Sequence, residues 1–155
     1  MYSVILYNKY KKTLLPLITL IIIGFIWGHS LMEGTVSADE SGGVVEIIEN
    51  ILLSLNIKAD VSEHIIRKIA HFSEFFLLSL VLYADVKAFE KESDTAISIL
   101  VCLFTGLMTA CADETIQLFS EGRSSSLMDV WIDFWGVLTA FVIMRLIYII
   151  KKRGV

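Results

Sequence analysis

Arg67, Lys68, His71 and Glu74 lie within a run of eight residues, and Arg67, His71 and Glu74 are spaced i, i+4, i+7. That spacing puts the three on one face of a helix. Asp113, Glu114 and Gln117 fall within little more than one helical turn, with Gln117 angularly between the two carboxylates. Arg123 follows in a stretch with three serines, and Asp129 and Asp133 are again i, i+4. Guanidinium forks match phosphate. Arg67, Lys68 and Arg123 are therefore candidate phosphate contacts, with Gln117 and His71 adding hydrogen bonds. Glu74 and Glu114 would orient the cations or act as acid and base. A second chemistry uses the same residues: a histidine among several carboxylates could hold a divalent cation and cut or transfer a phosphate-linked headgroup. So oxygen-rich a set favours Mg, Mn or Ca over zinc. No established metal-binding spacing is present in the chain.

The surroundings of these residues give them weight. Of 155 residues 55% are hydrophobic and 19% charged, with a mean hydropathy of +0.71. Soluble domains carry about 45–50% apolar and about 25% charged residues. The excess sits in long blocks, which predicts an all-α bundle of four transmembrane helices in a single domain over 1–155, with spans of about 13–32, 65–83, 95–118 and 130–150. Within the loop Glu33–His64, Ser41-Gly42-Gly43 should break structure. Val44, Val45, Ile47, Ile48, Ile51, Leu52 and Leu55 then follow at helical spacing. They read as an amphipathic helix in the first external loop, lying on the membrane or on the bundle. Pro16 is expected in the first turn of the first span, Asp85–Asp94 and Phe119–Met128 as loops, and Gly24 and Gly28 as a face for close helix approach.

Basic residues set the orientation. With the N-terminus in the cytoplasm, Lys9, Lys11, Lys12, Lys87, Lys91, Arg145, Lys151, Lys152 and Arg153 lie inside or at that border, nine of 13; Lys58, Arg67, Lys68 and Arg123 lie outside. Both termini are then cytoplasmic, and each polar cluster occupies the outer end of its helix. Small residues (Gly106 and Ala110, Gly136 and Ala140) continue the faces beneath the clusters and should bring the helices together there. A charge at a helix centre costs roughly 2.5–3.5 kcal/mol on insertion scales, so such residues face a bundle interior or a wet cavity.

Plainer roles stand beside these. Asp129 could simply cap the fourth span, Arg67 and Lys68 could anchor at the interface, and the whole set could be a closed structural network. A channel is disfavoured because the inner halves of the second and third spans are apolar. The first span could be a secretory signal with Val36-Ser37-Ala38 as its cleavage site, but its apolar run ends well before them. Cys102 and Cys111 are nine residues apart on opposite helix faces, roughly 13 Å along the axis, too far for a disulfide. No basic patch interleaved with aromatics is present, which argues against nucleic acid as a partner.

The pattern Lys68-x-x-His71-Phe72-x-Glu74-Phe75, then Glu114-x-x-Gln117-x-Phe119, then Gly122-Arg123, Asp129 and Asp133-x-x-Gly136 resembles the VanZ-like family, from about Trp27 to the end of the fourth span. Asp133 stands where that family's pattern often has asparagine. The resemblance implies a small bacterial membrane protein with a cell-envelope role, in a family whose named member is associated with teicoplanin resistance. Joined to the residue chemistry, it leads to two expectations. One is an outward-facing pocket for an anionic lipid headgroup or a lipid-linked peptidoglycan precursor. The alternative is a divalent-metal-dependent membrane enzyme acting on a phosphate-linked lipid headgroup.

Overall fold

A bilayer core offers no water to backbone amides, so a long apolar run closes its own hydrogen bonds as a helix. The computed structural model describes residues 2–57, 60–89 and 95–154, with residues 2–10 and 95 described by their backbone alone. Among the described residues there are five helices and no strand: α1 (Tyr2–Ser30), α2 (Gly34–Ser54), α3 (Glu63–Phe89), α4 (Thr95–Gln117) and α5 (Leu127–Arg153). The stretches Lys11–Ser30, Glu63–Phe89, Ala96–Gln117 and Leu127–Arg153 are long and apolar enough to cross a membrane. The chain is a multi-pass membrane protein, and α2 is the extra helix expected between its first two spans.

The helices run further than hydropathy alone marks. Pro16 lies well inside α1 rather than in its first turn, because the helix already begins at Tyr2. Asp85 and Lys87 belong to α3, not to a loop; Thr19 Oγ1 lies 3.4 Å from Asp85 Oδ2, and Lys87 rests over the Tyr148 ring. Lys58 and Lys91, used above for orientation, fall outside the described residues. Ser41-Gly42-Gly43 does not interrupt α2. Ser41 is buried there, and its hydroxyl donates to the Ser37 carbonyl within the helix. Glycine's helix penalty of about 1 kcal/mol is small enough for packing to override. Val45, Ile48 and Leu52 of α2 are half-buried while Val44, Ile47 and Ile51 are exposed, so this helix offers apolar surface both to the bundle and away from it.

α3 is the axle, packing against each of the other four helices. The core joins Ile26 of α1, Phe75, Leu78 and Leu82 of α3, Cys102 and Ala110 of α4, and Val137 and Phe141 of α5. Cys102 and Cys111 are free thiols. Two glycines set the helix spacing. A Cβ on Gly136 would strike the Phe72 backbone carbonyl of α3, and one on Gly106 would come within 2.6 Å of the Val137 side chain. Gly24 and Gly28 have nothing within 4 Å of a Cβ, so the close approach expected at that face is not made among the described residues.

Gly136→Ala should therefore force α3 and α5 apart and cost about 1–3 kcal/mol, as overpacking does. Gly24→Ala should be neutral or slightly stabilising. Thermal unfolding of both variants in the same detergent measures the difference.

Candidate functional site

The C-terminal ends of α1 and α4 and the N-terminal ends of α3 and α5 share one end of the bundle, together with the α4–α5 connection. There a cavity of about 100 Å³ is lined by residues that include Arg67, Lys68, His71, Glu114, Gln117, Arg123, Asp129 and Asp133. Eight of the ten sequence candidates thus line one space. Asp113 is fully buried and reaches the group from below, its Oδ2 3.0 Å from the Gln117 amide nitrogen. Glu74 turns away toward α1, its Oε1 3.2 Å from His29 Nδ1, although the contact is not aligned as a hydrogen bond.

Each side chain is held by a local reason. Ser126 caps α5 by accepting from the Asp129 amide, so Asp129 sits in the first turn rather than at the cap itself. There the helix dipole favours its negative charge, and Lys68 of α3 pairs with it at 2.8 Å. Glu114 accepts from the Ser126 amide at 3.0 Å and from Gln117 at 3.2 Å, which ties the end of α4 to the start of α5. Gln117 is the shared donor for Asp113 and Glu114, as its angular position between them requires. Arg123 follows Gly122, whose φ of +73° suits a residue without a side chain. Arg123 donates to the His29 carbonyl at 3.0 Å, and its other terminal nitrogen lies 3.4 Å from His71 Nε2. Burial pushes the Arg123 guanidinium below its ordinary range and the nearby Asp113 carboxylate pulls it back. An arginine starts so high that it stays charged.

At the floor His71 Nδ1 is 3.7 Å from both Asp113 Oδ2 and Asp133 Oδ1. Neither Asp133 oxygen has a hydrogen-bond partner, nor does His71 Nδ1. The three side chains bring one donor atom each to within 4.8 Å of one another, which among the described residues makes them a set that could hold a metal ion.

α1 contributes residues that the sequence reading left out. Ser30, almost fully buried, donates to Asp113 at 2.6 Å, and its carbonyl accepts from Ser120 at 2.8 Å. His29 stacks on His71 with ring centroids 6.3 Å apart and also meets Glu40 of α2 at 3.2 Å. His64 lines the cavity near Arg67. The signal for His29 and Ser30 was present: they are the polar end of the first span, at the depth of the clusters on the other three.

Ser30→Ala would leave Asp113 short of its nearest donor. Loss of one partner from a buried acceptor costs about 1–3 kcal/mol, so the variant should unfold several degrees below wild type, while Ser54→Ala on the exposed end of α2 should not. Searches of curated proteins and of solved structures found no match to the chain. The family model described as VanZ/LLP1 matches residues 15–148, from within α1 to near the end of α5, and the chain belongs to that family.

Proposed function

We propose that this protein binds the phosphate-bearing headgroup of an anionic envelope lipid or lipid-linked cell-wall precursor, in a pocket at the outer face of a bacterial cell membrane. The observation that carries the reading is the convergence of Arg67 and Lys68 of α3 with Arg123 of the α4–α5 connection on one small cavity. Lys68 is already paired with Asp129, so the two guanidinium groups are the stronger phosphate ligands. The lining holds three basic residues (Arg67, Lys68, Arg123) and three acidic ones (Glu114, Asp129, Asp133). Recognition therefore rests on guanidinium geometry more than on net charge. At about 100 Å³ the space has room for a phosphoryl group with accompanying water, since about 10–15 Å³ of such volume already admits one water. A lipid's chains would stay outside. Apolar side chains stand nearby to meet them: Leu118, Phe119, Leu127 and Met128 at the two ends of the connection are between 66% and 82% exposed. Trp131 and Trp135 are exposed on α5, and tryptophan favours the headgroup level. VanZ/LLP1 membership supports an envelope role, which extends to glycopeptide resistance where the headgroup belongs to a cell-wall precursor.

The orientation can be read on intact cells. In a background lacking Cys102 and Cys111, cysteines at Asp39 or Glu121 should react with an impermeant thiol reagent and one at Lys152 should not. The reverse pattern would place the pocket in the cytoplasmic leaflet. Ligand retention is the second measurement. Native mass spectrometry of purified protein should show retained anionic phospholipid or lipid-linked precursor. Arg67→Gln and Arg123→Gln should each lower that retention about tenfold or more, the worth of a charge-assisted hydrogen bond. Arg123→Lys should lose less, keeping the charge without the fork. Retention unchanged in both glutamine variants would remove the pocket from this role.

A further inference from the structure

At the floor of the same cavity, and on observations separate from those behind the phosphate reading, the geometry points to a divalent-cation site formed by His71 Nδ1, Asp113 and Asp133. Asp133 is 1% exposed and Asp113 fully buried, and both flank the same imidazole nitrogen at 3.7 Å. Asp113 is engaged by Ser30 and Gln117. Asp133 has no such support: both of its oxygens are without a hydrogen-bond partner, in the interior of a membrane protein. Burying carboxylate oxygens bare is costly, and two carboxylates side by side add repulsion to that. A dication between them removes both penalties.

The distances fit an ion with modest adjustment. Two donors 3.7 Å apart, each about 2.1 Å from a metal, subtend about 120°, between the angles of common coordination shapes. One imidazole and two carboxylates suit Mn²⁺ among the oxygen-preferring ions. Three protein ligands leave positions for water or for an oxygen of a bound phosphate. His71 and Asp133 both line the cavity, which gives the ion its way in and directs those positions toward it.

The site also makes a demand on Arg123. Coordination through Nδ1 leaves the His71 proton on Nε2, and Arg123, itself a donor, lies 3.4 Å from that atom. An ion on His71 therefore turns Arg123 away from the ring and toward the cavity. Occupation of the floor and availability of the guanidinium are then coupled.

Delipidated full-length protein in detergent, titrated with Mn²⁺ alone and followed by the loss of the free-ion paramagnetic resonance signal, tests the site without any lipid. One ion should bind per chain and raise the unfolding temperature. Asp133→Asn should weaken binding by more than about tenfold, yet unfold no lower than metal-free wild type because a buried charge is gone. His71→Gln should weaken it similarly, and carries the test if Asp133→Asn does not fold. Arg123→Gln should tighten Mn²⁺ binding, by removing a nearby cation and a competing donor, whereas it weakens lipid retention; the two readings therefore fail separately. Folded wild type that leaves millimolar Mn²⁺ free would overturn the site in favour of a proton shared between the carboxyls. Wild-type affinity in both Asp133→Asn and His71→Gln would place the ion elsewhere and overturn it too.

Discussion

At Gly136 the backbone of α5 lies against the Phe72 carbonyl of α3 with no room for a side chain between them. This contact fixes the geometry of the polar end. His71 immediately precedes Phe72, and Asp133 lies one turn before Gly136, so a crossing this tight leaves the imidazole and the carboxylate facing each other at 3.7 Å. Gly106 makes room on α4 for the Val137 side chain of α5, and α4 brings Asp113 to the same imidazole at 3.7 Å. Small residues and charged residues thus form one device: the first set the helix spacing, and the second are usable only at that spacing.

The cost of placing carboxylates inside a bundle is met unequally. Asp113 and Glu114 share Gln117, and each adds a second donor, Ser30 for one and the Ser126 amide for the other. Asp129 has Lys68 and the dipole of α5. Asp133 is left with neither, one turn from the tight crossing at Gly136. Evenly distributed donors would describe a closed structural network. A carboxylate with both oxygens bare beside a cavity, as Asp133 is, describes a place kept for something else.

Much of this was legible in the sequence. The spans were readable because the apolar blocks are long, and the polar layer because Glu74, Asp113 and Asp133 sit at matching depths on separate helices. Side-chain direction was not readable. Glu74 shares a helix face with His71 yet reaches His29 on α1, since helical spacing fixes a face but not the neighbour that face meets. His29 and Ser30 escaped notice because a polar residue at the end of a span looks like a boundary. The continuity of α2 through Gly42 and Gly43 was hidden for a different reason: local propensity there yields to burial of Ser37 and Ser41. Cavity shape and orphaned atoms belong to packing and have no signature in spacing.

Gly34 opens α2, and a Cβ on it would collide with the Gly122 carbonyl; its amide donates to Glu121 at 2.9 Å. The surface helix is thereby clasped to the peptide unit that immediately precedes Arg123. The joint is made of two glycines, with no room for a side chain between them. α2 and the arginine at the cavity thus share one joint.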